Sequence, residues 1–391
     1  MNEYVHKTVA LKFYGKTLQL ATSQELFSSF AVDAGSSLLL QSIGKHIPLD
    51  TIKSVLDVGC GVGTLGLAIK AQNSGIEVDF VDRDALALNF TEYNCRQNKL
   101  PASRYIGSLG VSHLSDKKYD LIVSNIPAKA GNPVIECMLK NFSAFLTAGG
   151  TVAIVIVKTL SDFVSQVIIH NGGHILFKNI TKEYTVYHYN GIKSDGVDDS
   201  LTPYIRGVFD FKKNGICYNL HSVYGLHEFD TLGFDSELGM KILSQMSVHG
   251  KILVINPGQG HIPVYLLLSR QNRIDQINIA GRDLLSLVIT ENNIKDNTGQ
   301  TVNYFHIPYI RQLEGKFDFI YFNYKKEAIE NAHIILMRNL PRLLNDTGEL
   351  VLIGKSSFVF HFDTAAGNIF LKTMDKKYNG FRGIRYTLKN K

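Results

Sequence analysis

Three groups of residues in this chain have the types and spacing to do chemistry. Asp57, Gly59, Gly61 and Gly63 form DxGxGxG, directly after the apolar run Val55 to Val58 and directly before a helical pattern that begins near Thr64. Glycine lets such a turn close tightly and lets backbone approach a ligand where a Cβ would collide. Asp82 ends the next apolar run, and a carboxylate at that place accepts hydrogen bonds from ribose hydroxyls. Cys60 and Arg83 lie inside these two motifs and join the candidate set. A nicotinamide dinucleotide would ask for GxGxxG with a helix N-terminus aimed at its pyrophosphate, and the carboxylate of Asp57 would repel a phosphate. A ligand with a ribose and a cationic amino-acid end suits the turn better. Taken alone, a glycine turn also serves as a plain strand-to-helix connection.

The third group is Asn125, Ile126, Pro127 and Ala128, at the end of the run YDLIVS. An exocyclic ring amine is a poor nucleophile because its lone pair is delocalised into the ring. Carbonyl acceptors on its two hydrogens favour a pyramidal nitrogen, and the Asn125 side-chain oxygen with the Ile126 carbonyl could supply them. The gain would come from positioning and preorganised dipoles, with no strong base required. Pro127 holds the segment extended and removes a competing donor. Asn-Ile-Pro by itself is also a common turn after a buried strand. Its place after the glycine turn and Asp82 favours the chemical reading.

The elements that must position these residues occur twice. FAVDAGSSLLL (30 to 40) is echoed by LGFDSELGMKIL (232 to 243), with Asp33 matching Asp235. VLDVGCGVGTLGL (55 to 67) is echoed by ILVINPGQGHIPV (252 to 264), VDFVDRDALALNF (78 to 90) by INIAGRDLLSLVI (277 to 289), and YDLIVSNIPAK (119 to 129) by FDFIYFNYKKE (317 to 327). Four collinear matches predict two copies of one domain, 1–192 and 203–391, joined through the Gly, Asp and Ser-rich NGIKSDGVDDS. Short apolar runs alternate with helical spacing, which predicts an α/β fold: a mostly parallel sheet with helices on both faces. Ligands of such sheets bind outside the carboxyl ends of the strands.

In the second copy Asp57 is answered by Val254, Gly59 by Asn256 and Asp82 by Gly281, and the last motif becomes Asn323, Tyr324, Lys325, Lys326. This copy is expected to be degenerate and to hold no such ligand. Either it is a scaffold, or it captures phosphates through Lys325, Lys326 and the basic C-terminal run. That run carries Lys372, Lys376, Lys377, Arg382, Arg385, Lys389 and Lys391, interleaved with Tyr378, Phe381 and Tyr386. Basic and aromatic mixing suits RNA, and a solvated basic surface is the other reading.

Composition narrows the class. The 391 residues are 45% hydrophobic and 19% charged, with a net charge of +6, an ordinary globular balance that permits a polyanionic partner without requiring one. The four cysteines form no CxxC pair, so neither a zinc knuckle nor a disulfide framework is indicated, and a reducing, cytoplasmic setting is expected. The first residues have no apolar leader pattern, and no apolar run approaches the ~20 residues of a membrane span. His113, His170, His174 and His188 lack ligand spacing, so no metal is expected. No GxSxG elbow supports a hydrolase.

VLDVGCGVGTLGL resembles the first motif of the class I S-adenosylmethionine-dependent methyltransferases. The resemblance implies a Rossmann-like seven-stranded sheet in each copy, with S-adenosyl-L-methionine as cofactor. It implies that Gly59, Gly61 and Gly63 line the methionine and ribose, that Asp57 fixes the turn and the amino end, and that Asp82 holds the ribose. Ser108, in YIGSLG, stands near the position that recognises adenine. The family counterpart of the third motif is NPPF or NPPY; here Ile126 replaces a proline and Ala128 the stacking aromatic. A ring could come instead from Phe27, Phe30, Tyr184 or Tyr187.

LATSQELFSSFAVDAGSSLLL (20 to 40) and SNIPAKAG (124 to 131) resemble the small methyltransferase domain of ribosomal RNA guanine-N2 methyltransferases. Those are tandem duplicates with one degenerate copy, usually the first, whereas here the second is degenerate. The implied activity is methylation of an exocyclic amine, guanine N2, with ribosomal RNA or a ribosomal subunit as partner. Phe30, Lys129, Tyr187, Lys325 and Lys326 are the candidate substrate contacts. A small-molecule or protein nitrogen, or a non-catalytic RNA-binding role, stands as the alternative.

Overall fold

A computed structural model describes residues 2–26, 31–193, 196–325 and 332–389. The chain divides into two compact units, 1–204 and 205–391.

The first unit opens with a hairpin of β1 (Lys7–Phe13) and β2 (Lys16–Thr22), closed by Tyr14 and Gly15, both at positive φ. There follow α1 (Ala34–His46), β3 (Ser54–Val58), α2 (Thr64–Lys70), β4 (Glu77–Asp82) and α3 (Ala85–Gln97). Then come β5 (Arg104–Gly107), β6 (Tyr119–Asn125), α4 (Asn132–Ala144), β7 (Leu146–Val157), α5 (Ser161–His170), β8 (His174–Ile180) and β9 (Tyr184–Asn190). The seven-stranded sheet runs β5-β4-β3-β6-β7-β9-β8; the first five strands are parallel, and β9 is antiparallel to both β7 and β8. Apolar runs form the central strands because both their faces are covered: Val55, Leu56, Val78, Phe80, Leu121 and Val123 are fully buried. Asp33 caps α1 and Asp84 caps α3, each accepting a backbone N–H in the first turn.

The second unit repeats this plan. A hairpin of β10 (Ile205–Lys213) and β11 (Ile216–Val223) precedes α6 (Phe234–Leu243), β12 (His249–Ile255), α7 (His261–Leu268), β13 (Arg273–Gly281) and α8 (Leu284–Thr298). β14 (Asn303–His306), β15 (Phe317–Tyr324), α9 (Ala332–Leu343), β16 (Leu344–Lys355), α10 (Ser356–Ala366), β17 (Phe370–Tyr378) and β18 (Phe381–Leu388) complete it. The strand order β14-β13-β12-β15-β16-β18-β17 is that of the first sheet. Both units are therefore α/β domains built on one topology.

Two features lie beyond what the repeat pattern reveals. The hairpins are one: Asn214 and Gly215 turn the second at φ 51° and 79°, the left-handed pair that a two-residue hairpin needs, so Asn-Gly was its local signature. The joint is the other. Asp198 exchanges backbone bonds with the Asn141 amide of α4 (2.9 and 3.0 Å), the His113 N–H donates to Asp199, and Tyr204 is buried. Residues 196–204 thus pack with the first unit. No helix among the described residues is long and apolar enough to cross a membrane.

A buried amide ties each hairpin to its domain. Asn94 of α3 accepts from Ala21 N (2.8 Å) and donates to Ala21 O (3.1 Å) and Val62 O (2.9 Å). Asn98, one helical turn on and half-buried, makes the same exchange with Gln19. Replacing Asn94 by Ala strands three buried backbone groups, at ~1–3 kcal/mol for an unsatisfied group. We expect Asn94→Ala to lower unfolding free energy by about 3 kcal/mol and to speed amide exchange at Ala21, while Asn98→Ala costs under about 1 kcal/mol. Urea denaturation and hydrogen exchange check both.

Candidate functional site

The glycine turn leaves β3 at its carboxyl end. Gly59 N and Cys60 N both donate to Val81 O of β4 (2.8 and 3.0 Å), which presses the turn against the neighbouring strand. Gly59, Gly61 and Gly63 have φ of 70°, 58° and 86°, the left-handed region that favours glycine. A Cβ at Gly59 or Gly61 would meet nothing within 4 Å among the described residues, so the space above these two is open. At Gly63 it would come within 3.0 Å of the Thr91 methyl, so this glycine serves packing of the turn on α3. The Cys60 thiol is also turned inward, 3.4 Å from Thr91 Oγ1, and burial pushes it well up, so it stays protonated.

Asp57 is fully buried on β3. Its Oδ2 accepts from Gly66 N at 2.8 Å, pinning the start of α2, and its Oδ1 has no partner among the described residues. Burial pushes the carboxyl up to about 7, against the Gly66 N–H that lowers it and with the Asp82 charge adding to the rise. Asp82 stands at the end of β4. Its Oδ2 accepts from Gly61 N and its Oδ1 from Asp84 N, both at 2.9 Å; burial raises it to about 6 despite these two donors. Arg83 follows it, at the same strand end. Ser108, just past β5, donates its backbone N–H to Asp82 O (3.1 Å) and its hydroxyl to Ser112 O (2.7 Å), so its proton is committed to its own loop.

The end of β6 lies alongside. The Ser124 hydroxyl donates to Val58 O (2.8 Å) immediately before the glycine turn, and Ile126 N donates to Val155 O (3.0 Å). Asn125 Nδ2 donates to Asp33 Oδ2 (2.8 Å) and to Ser36 Oγ (3.0 Å), both at the start of α1, so the amide oxygen faces the other way. The Ile126 side chain is buried. Pro127 is exposed, its carbonyl accepts from Ala130 N, and Lys129 projects from the resulting single turn. Sequence reasoning missed Asp33 and Ser36 as partners of Asn125, although the match of Asp33 with Asp235 marked the position.

One candidate contact is corrected. Tyr187 has no exposed surface, and its hydroxyl donates to Ser161 O at 2.6 Å. β9 lies between β7 and β8 with helices covering it, so its residues are buried on both faces and Tyr187 cannot stack on a substrate. Tyr184, the first residue of the same strand, is partly exposed; its ring lies 3.1 Å from where a Gly35 Cβ would be, and the neighbouring Asp33 carboxylate pushes its phenol up. Phe27, Phe30 and Lys326 lie outside the described residues, as does Lys391. Lys325 is exposed at the end of β15 in the second unit. Among the described residues no group of three or more His, Cys, Asp and Glu could hold a metal.

The second unit keeps the turn and loses the acids. Asn256 takes the place of Gly59 at φ 57°, a conformation asparagine tolerates, and donates to Asn323 O (3.0 Å). Where Gly61 is open, Gly258 is covered: a Cβ there would lie 3.7 Å from the Glu228 carboxylate, which also accepts from Gly233 N (2.8 Å). Three cations of the basic C-terminal run, Lys372, Arg382 and Arg385, are paired with carboxylates, while Lys376 donates to the neutral Gln245 amide oxygen (2.6 Å). Arg382 binds Asp363 and Asp375 (2.7 and 2.6 Å), Lys372 binds the same pair, Arg385 binds Glu349, and Lys389 donates to Gly367 O. These cations stitch α10, β16 and β18, which weakens the reading of the run as a phosphate-binding surface.

The methyltransferase small domain family matches residues 17–188. A protein named ribosomal RNA small subunit methyltransferase C from Actinobacillus succinogenes is 41% identical over 106 residues, 27% of this chain and 30% of its own length. Its namesake from Pasteurella multocida is 31% identical over 180 residues, 44% of this chain and 52% of its own length. The chain thus matches about a third to a half of the length of these relatives. A solved structure of a 16S rRNA N2 methyltransferase from T. thermophilus, in complex with AdoMet and guanosine, superposes over 100% of both chains with a TM-score of 0.67 at 17% identity, which shows the shared tandem fold. The first unit of the chain, over residues 17–188 and including the glycine turn, is thus similar to the methyltransferase small domain family.

Proposed function

We propose that the chain is an S-adenosylmethionine-dependent N-methyltransferase whose first domain methylates an exocyclic amine, guanine N2, of ribosomal RNA. The observation that carries this reading is the Asn125 amide, locked with its NH2 on Asp33 and Ser36 and its oxygen turned away, at the strand end that adjoins the open glycine turn.

The residues present fit the cofactor. Asp57 Oδ1 is a buried acceptor lacking a donor among the described residues, suited to a cationic amino-acid end, and Gly59 and Gly61 leave a cradle that any Cβ would fill. Asp82 accepts one N–H on each oxygen and keeps lone pairs for ribose hydroxyls. Ser108 and Arg83 border the adenine side. When bound, S-adenosylmethionine supplies an electrophilic methyl carbon on a sulfonium. The chain's task is to present the amine. Asn125 Oδ1 and the Ile126 carbonyl accept its two hydrogens, Pro127 keeps that backbone extended, and Tyr184 offers the ring face that Ala128 lacks. Lys129 is placed to meet a phosphate.

The relatives named above support RNA as the substrate class, and Lys325, exposed at the end of β15, is the second domain's candidate for a phosphate contact. Mass spectrometry of ribosomal RNA nucleosides from cells with and without the protein tests the reading: loss of one N2-methylguanosine supports it, and an unchanged profile favours a small-molecule or protein nitrogen.

Asn125→Ala should lower kcat by roughly 10²–10³-fold, the scale for removing one preorganised polar group, with cofactor Kd unchanged. Asp82→Ala should instead weaken cofactor binding, read by calorimetry. The pH dependence follows from the two acids. Asp82 titrates near 6 and its carboxylate is the binding form, so affinity should fall as pH drops through 6. Asp57, near 7, is partly protonated in the free protein and becomes ionised beside a cation. Cofactor binding between pH 6 and 7 should therefore release protons, an effect that vanishes well above 7 and is measured by calorimetry in buffers of different ionisation enthalpy.

A further inference from the structure

Asp33 carries two bonds at once. Its Oδ2 accepts from Ser36 N (3.0 Å), capping α1, and from Asn125 Nδ2 (2.8 Å), 92 residues away. Ser36 Oγ lies 3.0 Å from the same nitrogen. The two ends of a primary amide are nearly equal in shape and opposite in hydrogen-bonding sense, and the torsion that exchanges them is broad and roughly two-fold. Turned over, Asn125 would present donors to a substrate amine that is itself a donor. An ionised carboxylate has no proton to give, so it selects the NH2 end and expels the oxygen end. The selector is itself fixed. Asp33 is held by the helix it caps, and α1 is anchored by the fully buried Leu39, Leu40 and Ile43.

We propose that Asp33 is a positioning residue for methyl transfer, setting the orientation of the Asn125 amide so that its oxygen meets the substrate amine. This rests on the role proposed above for Asn125. The same pair occurs in the second domain, where Asn323 Nδ2 donates to Asp235 Oδ2 at 3.2 Å, so the test must tell a positioning role from a purely structural one. There Asp235 lies inside the first turn of α6, whose cap is Gly233, so the Asp–Asn pair persists without the capping duty.

Serine is as good a helix cap as aspartate but offers no carboxylate to the amide, so Asp33→Ser separates the two roles. The test compares wild type, Asp33→Ser, Asn125→Ala, the double variant and Asp235→Ser. The substrate is small-subunit ribosomal RNA from cells lacking the protein, with labelled S-adenosylmethionine. Asp33→Ser should lose roughly 10- to 100-fold in kcat, the cost of a small misplacement, with melting temperature and cofactor Kd near wild type. The double variant should be no slower than Asn125→Ala, because an already absent amide needs no orienting, and Asp235→Ser should transfer at the wild-type rate. Losses that multiply in the double variant, or an unaffected Asp33→Ser, overturn the proposal.

A second readout is independent of turnover: exchange of the Asn125 side-chain NH2, followed by NMR with asparagine-selective ¹⁵N labelling and assigned by its absence in Asn125→Ala. It should be slow in wild type and fast in Asp33→Ser. If wild type transfers no methyl group to RNA, the substrate reading fails, and this exchange still decides the geometry: unchanged protection in Asp33→Ser overturns it.

Discussion

A buried side-chain amide holds three parts of each domain in one place. Asn94 offers Ala21 one acceptor and one donor, as a neighbouring strand would, and spends its second donor on Val62 O inside the glycine turn. Aspartate would lack the donors, and glutamine would be one methylene too long. The hairpin so attached covers the sheet through Leu11, Phe13, Leu18 and Leu20, which pack in one core with Leu39, Ile43 and Leu67. The turn, its helix and the hairpin therefore rest on one hydrogen-bonded group. Asn293 repeats the arrangement in the second domain, bonding His221 N and O and Gln259 O.

The duplication separates residues that both domains share from residues that only the first carries. Asn94 and Asn293, the capping Asp84 and Asp283, and the left-handed Gly63 and Gly260 occur in both domains, and each satisfies backbone or starts a helix. Asp57, Gly59 and Asp82 occur once. Gly59 is instructive because its left-handed conformation survives in Asn256, so the backbone path is a fold requirement and the missing side chain is not. What glycine at 59 adds is the open space above the turn, where a Cβ would meet nothing within 4 Å among the described residues.

Much of this was legible in sequence because it is local or repeated. Strands β3, β4, β6 and β7 are apolar runs, and the glycine turn and Asp82 sit at their ends by spacing alone. What escaped depends on partners far along the chain. Tyr187 reads as an available ring until β8 and the helices cover its strand. Arg382 and Lys372 read as cations for phosphate until Asp363 and Asp375 are found beside them. The Asp33–Asn125 bond spans 92 residues and has no periodicity to announce it. The second hairpin is announced locally by Asn214-Gly215, whereas the first turns on Tyr14-Gly15, which carries no such pair.

Electrostatics puts a cost on the buried acids of the first domain. A carboxyl raised to about 7 is neutral when buried and ionised in the unfolded chain, so its favourable contribution is complete below pH 4 and is lost as pH rises through 7. At neutral pH and above, Asp57 costs the fold on the order of 4 kcal/mol, against a total stability of about 5–15 kcal/mol for a typical domain. Asp82 adds to that cost by raising Asp57 further. A cationic ligand end at Asp57 reverses the sign of the arrangement, because the buried charge then has a partner. In the second domain Val254 and Gly281 stand in place of these two acids, and the buried acid beside the turn is instead Glu228, itself raised to about 7 by burial and 3.7 Å from where a Gly258 Cβ would be. Glu228 carries a similar cost, because its backbone donor Gly233 and the nearby Lys325 oppose burial without outweighing it, as the Gly66 N–H does for Asp57. An incoming cation at Asp57 Oδ1, which has no partner among the described residues, would offset the cost of the first domain's buried acid.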